Sequence, residues 1–218
     1  MCARYLIDDD SFDINEIINA AERNIKDRDL STAGAADADP VWQRRTDGSE
    51  PGSVEVFPGT YAPVIDANNN AHFMLWGFPS LMHGKQPHIN ARSETAAVKK
   101  TFGESMHSRR CLVPASGFYE WKTVGKKQKE KYEITLPDRV SMYMAGIYSE
   151  DGRFAVLTRD ASPSVAQIHD RMPVILPIAL GEVWLCESHN VFMEALTEMH
   201  LRHIPRDKPV SPQMSLFS

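Results

Sequence analysis

Gly117-Phe118-Tyr119-Glu120-Trp121-Lys122 is the stretch from which the fold can be read. It is crowded with aromatic residues and free of proline, the composition of a strand. Three more β-rich runs follow at residues 131–136, 142–148 and 153–158, separated by Gly125, by Pro137-Asp138 and by Asp151-Gly152. Turn formers between such short runs predict a mostly antiparallel meander. Upstream, residues 3–7, 54–57, 62–65, 72–76, 88–91 and 111–114 read as short strands, and Asn68-Asn69-Asn70 tolerates the positive φ of a tight turn. Residues 11–27 read as an amphipathic helix with Ile14, Ile17, Ile18, Ala21 and Ile25 on one face and aspartates before its start. Further helices are expected at 94–102, 180–186 and 191–200, with a helical turn at 164–168, a strand at 173–176 and an exposed loop over 30–52. The pattern is α+β, a mostly antiparallel or mixed β-sheet forming a barrel-like core with peripheral helices. We place one domain at 1–204 and a flexible tail at 205–218.

At 218 residues, with 42% apolar and 24% charged residues, the composition is that of a globular domain, which excludes bulk disorder, collagen and coiled coil. A net charge of -5 argues against a protein that coats nucleic acid with its whole surface. That average covers two unlike regions. From Met1 to Asp66 there are 6 basic and 14 acidic residues, whereas from Arg92 to Lys131 there are 10 basic and 4 acidic. A local basic groove is therefore allowed. Cys2, Cys111 and Cys186 form no C-x-x-C pair, so spacing encodes neither a disulfide framework nor a thiolate metal site, and no metal or cofactor is expected. The acidic start lacks the pattern of a signal peptide, and the expectation is a cytoplasmic protein.

Four places carry chemistry. Cys2 follows Met1, and a small residue there permits removal of the initiator methionine, which leaves an amine and a thiol on one residue. Their reference pKa values, about 7.7–8.0 and about 8.5, leave both partly deprotonated near neutrality. Two carbons apart, they can capture one aldehyde twice, first as a Schiff base and then as a five-membered thiazolidine. In Ile89-Asn90-Ala91-Arg92-Ser93-Glu94-Thr95, Asn90 and Arg92 share a face of an extended segment that enters a helix. Ser93 or a neighbour can cap that helix, or its start can receive an anion. Glu120 lies among aromatic residues, where an apolar setting would raise its pKa into the range of a general acid or base, although alternation also allows it to face solvent. His169 ends a helical turn in Ile168-His169-Asp170-Arg171-Met172-Pro173, where Asp170 and Arg171 most simply form a surface ion pair.

Met1-Cys2-Ala3-Arg4, Trp76-Gly77-Phe78-Pro79 and these other stretches, in this order, resemble the SOS response-associated peptidase family, whose members shield abasic sites in single-stranded DNA by covalent attachment. The resemblance implies that Cys2, after loss of Met1, forms the thiazolidine with the C1′ aldehyde of the ring-opened sugar. It also implies that Asn90 orients the N-terminal residue and the sugar, Glu120 transfers protons during ring opening and Schiff-base formation, and His169 serves the sugar oxygens and reversal. Arg4 and Arg92 look like phosphate contacts, Trp76 and Trp121 like stacking residues near the lesion, and Thr158 like part of the site wall. Two departures stand out. Ala3 occupies a position that is glycine in many members, and Val54-Glu55-Val56-Phe57-Pro58 replaces their Tyr-Asn-x-x-Pro, which leaves a site role for Glu55 open.

Gln213, Leu216 and Phe217 in the tail resemble the Gln-x-x-Leu-Phe peptide that bacterial replication proteins insert into the DNA sliding clamp, so a clamp is a second expected partner beside abasic single-stranded DNA. Competing functions are a cysteine N-terminal-nucleophile hydrolase that cleaves an amide and a non-covalent single-strand binding module. His200-x-x-His203 has helical spacing for two metal ligands, without an obvious third partner, and fits a solvated helix face. The thiazolidine chemistry needs a free amine on Cys2. The intact mass of the purified protein is therefore expected to be lower than that of the full sequence by one methionine residue, and a mass that retains Met1 contradicts the assignment.

Overall fold

The structure, a computed structural model, describes residues 2–8, 12–27, 53–81, 86–124, 128–136, 141–176, 180–186 and 202–205. Its strands are β1 (Tyr5–Asp8), β2 (Ser53–Val56), β3 (Tyr61–Asp66), β4 (Ala71–Trp76), β5 (Asn90–Arg92), β6 (Arg110–Ala115), β7 (Gly117–Val124), β8 (Gln128–Thr135), β9 (Met142–Tyr148), β10 (Arg153–Asp160), β11 (Arg171–Pro173), β12 (Ile175–Leu176) and β13 (Arg202–Pro205). The helices are α1 (Phe12–Asp27), α2 (Ser93–Ala96), α3 (Gly103–Ser108), α4 (Pro163–Ala166) and α5 (Gly181–Cys186). β10, β4, β3, β6 and β9 pair in succession, and β9 pairs back onto β10, which closes a five-stranded barrel. Only the β10–β4 step of that ring is parallel. A second sheet, ordered β13-β8-β7-β1-β2, is antiparallel throughout.

Barrel closure removes the exposed edges that an open sheet would leave. Past the barrel rim, β10 runs on and recruits β5 along one edge at Val156–Thr158, and β11 along the other at Thr158–Asp160. That extension carries Asn90 and the segment after His169 to one end of the molecule.

The α+β barrel-like expectation holds, but the meander does not. β7 with β8 and β9 with β10 pair as antiparallel neighbours, whereas β8 and β9 belong to different sheets, so the four strands are not one meander. Of the expected helix at 94–102 only α2 is helical, turns follow it, and α3 starts beyond that range; the strand at 173–176 is split at Val174, whose N–H donates to the Leu157 carbonyl at 2.8 Å. β13 places His203 on a strand opposite Ile134, which corrects the helical reading of that histidine. The expectations for 30–52, 191–200 and the clamp peptide at Gln213, Leu216 and Phe217 lie outside the described residues.

Two apolar clusters follow from strand alternation. One joins Tyr5, Ile7, Val56, Phe118 and Ile134 of the second sheet to Val64, Trp76, Val113, Met144 and Phe154 of the barrel strands. The other packs the opposite barrel face, including Leu112, Ile147 and Leu157, against Phe102, Met106 and Trp184. Helix α1 lies on β3 and β4 through buried Ile14, Ile18 and Ala21. Packing around Gly146 is tight: a Cβ there would lie 2.9 Å from Cys111 Sγ and 3.0 Å from Val113 Cγ2. Gly146→Val is expected to cost about 1–3 kcal/mol through overpacking, read from urea unfolding. Unchanged stability would contradict the closed interior described.

Candidate active site at the chain's N-terminus

Cys2 is wholly buried and precedes β1. Its thiol donates to the Arg4 carbonyl at 3.4 Å, and its own carbonyl accepts a 2.7 Å hydrogen bond from Asn90 Nδ2. Asn90 therefore touches Cys2, 88 positions away in sequence. Burial, and then the charge of Glu120, push the Cys2 thiol far above its ordinary value. The thiol is thus kept protonated until something reaches it.

Glu120 lies on β7 and is 2% exposed. Phe118 faces the shared core, so alternation puts Glu120 on that same inward face, which settles the orientation its sequence left open. Burial raises its carboxyl pKa above the usual range, while the charges of the chain's amino terminus and of His169 pull it the other way. These mutual effects bring Cys2, Glu120 and His169 into one electrostatic neighbourhood. His169 Nδ1 accepts the Arg171 backbone N–H at 3.0 Å, which leaves the proton of the neutral ring on Nε2. Asp170 Oδ1 lies 2.9 Å from the same Nδ1, so a protonated ring can donate to it.

Arg171 is not the surface partner of Asp170 that its sequence suggested. It is buried, donates bidentately to Glu94 from Nη1 at 2.8 Å and Nη2 at 2.9 Å, and also reaches the Thr158 carbonyl at 2.8 Å and Asp160. Burial is the largest influence and would raise the Glu94 carboxyl, but the hydrogen bond and charge of Arg171 together with backbone hydrogen bonds outweigh it and hold the pKa below the usual value. Nor does Ser93 cap a helix: it is the first residue of α2, and its hydroxyl donates to the Thr158 carbonyl at 2.9 Å. Ser93 and Arg171 thus converge on the Thr158 carbonyl, and with Glu94 gripping Arg171 they tie the segment of Asn90 to the segment of His169. The sequence offered one unused signal for this clamp, an arginine and a glutamate each a few residues from a catalytic candidate.

The expected DNA contacts fare unevenly. Arg92 is exposed where β5 meets α2. Trp76, expected to stack on the lesion, is 0% exposed; its Nε1 donates to the Ile89 carbonyl at 2.9 Å, and its ring stacks on Phe154. Emptying such a core site costs about 3–5 kcal/mol, more than the roughly 1–3 kcal/mol a stacked base returns, so Trp76 is a core residue. Thr158 is likewise fully buried and belongs to the clamp. Trp121 lies on the face of β7 opposite Glu120, where Arg4 sits over its ring at 5.2 Å. Arg4 is itself paired with Glu55 at 3.1 Å, so it is not an uncommitted phosphate contact.

The family model described as SOS response associated peptidase (SRAP) matches residues 1–214. The chain belongs to the SRAP family. Among similar proteins are the abasic site processing protein YobE of Bacillus subtilis, 35% identical over 55% of this chain and 60% of that protein, and YedK of Escherichia coli, 31% identical over 62% and 64%. The abasic site processing protein YMR114C of Saccharomyces cerevisiae is 28% identical over 81% of this chain and 52% of its own. The chain thus spans 60% of YobE, a part of that relative and not the whole. A crystal structure from Bordetella bronchiseptica superposes with a TM-score of 0.63 at 22% identity, covering 95% of this chain and all of that one, which places the barrel and second sheet in a known fold. Among the described residues of this SRAP chain, no group of His, Cys, Asp or Glu could hold a metal ion, and no helix is long and apolar enough to cross a membrane.

Because the folded chain holds the Glu120 proton more tightly than the unfolded chain does, stability falls as pH rises from the usual carboxylate range through the raised value. Glu120→Gln removes that loss. Urea unfolding across a pH series is expected to show the variant gaining on the parent as pH rises through this window; a constant or shrinking difference contradicts the burial of a raised carboxyl.

Proposed function

We propose that this chain captures abasic sites in single-stranded DNA by forming a thiazolidine on Cys2 after Met1 is removed. The observation that carries the reading is the contact of Asn90 with Cys2, in a site where Glu120 is buried and electrostatically coupled to both Cys2 and His169. The names of the relatives, abasic site processing proteins, point to the same substrate.

An abasic sugar is mostly a closed hemiacetal, and opening it needs an acid and a base. The carboxyl of Glu120, whose pKa burial raises, is the proton donor of this reading, and the neutral ring of His169 offers an N–H at Nε2 to the sugar oxygens. The Cys2 amine adds to the C1′ aldehyde, the carbinolamine loses water, and the resulting C=N bond accepts the thiol sulfur at carbon and its proton at nitrogen. One aldehyde, one amine and one thiol thus give one thiazolidine and one water. Holding all three groups together makes each addition effectively intramolecular. Asn90 Nδ2 fixes the Cys2 carbonyl while its buried Oδ1, which has no hydrogen-bond partner among the described residues, retains acceptor capacity for a sugar hydroxyl.

A hydrolase using Cys2 as a thiolate fits less well, since burial and Glu120 push the thiol away from ionisation. Thiazolidine closure tolerates a protonated thiol, because the imine is formed first. Incubation with single-stranded DNA carrying one abasic site is expected to give an adduct that survives denaturation, and Cys2→Ala is expected to abolish it. A full yield of stable adduct from Cys2→Ala would falsify the assignment.

A further inference from the structure

Arg4 stands in a ladder of alternating cations and rings. Its guanidinium lies 4.6 Å from the Phe57 ring and 5.2 Å from the Trp121 ring, and Lys131 Nζ follows at 5.9 Å from Trp121 and 3.8 Å from Tyr119. Glu55 Oε1 accepts from both cations, at 3.1 Å from Arg4 Nη1 and 2.7 Å from Lys131 Nζ. Burial alone would raise its carboxyl, but the hydrogen bonds from Lys131 and Arg4 outweigh it and hold the pKa below the usual range, so Glu55 is an anion at neutral pH.

The backbone of Arg4 is pinned as firmly as its side chain. The Arg4 carbonyl accepts the Tyr119 N–H at 3.0 Å as well as the Cys2 thiol, and the Cys2 carbonyl is held by Asn90. Residues 2–4 are therefore strung between two fixed points. One is Asn90 on the inward side, and the other is the Arg4 side chain, held by Glu55 on the far face of the sheet. We infer that Glu55 and Arg4 are positioning residues that hold the Cys2 amine and thiol in reach of Glu120, an inference that rests on the thiazolidine reading. A phosphate contact would need the guanidinium fork of Arg4, whose Nη1 is already committed to Glu55. The sandwich between Phe57 and Trp121 uses its planar shape as well, and a phosphate arriving there would have to displace Glu55.

The test uses the full chain with Met1 removed, as wild type, Glu55→Gln and Arg4→Lys, with a single-stranded oligonucleotide bearing one abasic site. Adduct formation is followed against DNA concentration to separate the rate at saturation from the half-saturating concentration. A positioning role predicts a saturated rate lower by roughly 10- to 100-fold in both variants, with half-saturation nearly unchanged. Arg4→Lys with an unchanged saturated rate overturns the inference, whether or not half-saturation rises as loss of a phosphate contact would require. A second readout needs no DNA: alkylation of the buried Cys2 thiol by iodoacetamide, located by peptide mass, is expected to be about tenfold faster in both variants, because a loosened segment opens more often. Equal alkylation rates overturn the positioning role even if the wild type forms no adduct, an outcome that would separately sink the proposed function.

Discussion

The guanidinium of Arg171 is the hub on which the site depends. A buried arginine must have its charge and donors answered, and here Glu94 answers two donors in the planar geometry that suits a carboxylate, while the Thr158 carbonyl takes another. Glu94 begins two residues after β5, which ends the Asn90 segment; Arg171 begins β11, two residues after His169. Both strands pair with the overhanging half of β10. The ion pair thus fixes the spacing between the residue that holds Cys2 and the residue that faces Glu120. Loss of either partner would leave a buried charge or a carbonyl unanswered next to the chemistry.

Strand β7 divides the remaining labour by alternation. Phe118 and Glu120 face the core shared with the barrel, where burial raises the carboxyl; Tyr119 and Trp121 face away and stack with Lys131 and Arg4. The buried carboxyl and the cation–aromatic packing therefore occupy opposite sides of one strand without competing for space. Burial is the largest influence on the pKa of Cys2 and of Glu120 alike, and it favours the neutral form of each.

Local signals made the elements legible. The run 142–148 was readable to the residue because β-branched and aromatic positions end at clear turn formers, and the isoleucines of α1 announced its buried face. Partner choice was not readable, because alternation says which side chains share a face but not which strand lies alongside; hence the meander that is really two antiparallel pairs in two sheets. Cys2, Asn90, Glu120 and His169 were named from the sequence, and the structure places Asn90 against Cys2 and Glu120 within electrostatic reach of Cys2 and His169. Trp76 was misjudged because an aromatic ring suits a stacking site and a core equally, and only its enclosure by Tyr5, Phe154 and the Ile89 carbonyl tells them apart. Arg171 was misjudged because its neighbour in sequence, Asp170, is not its neighbour in charge.

The charge polarity of the sequence takes on a more local meaning in this light. Arg4, expected to contact phosphate, shares the carboxylate of Glu55 with Lys131, so the cationic surface is smaller than residue counts suggest. On the proposed thiazolidine reading, recognition rests on covalent chemistry at one sugar. The most direct measurement is peptide mass analysis of the adduct after digestion of protein and DNA. A thiazolidine predicts the sugar remnant on the peptide that begins at Cys2, with one water lost and the thiol resistant to alkylation without any reductant. A remnant on another residue, or on Cys2 with its thiol still alkylable, would contradict it.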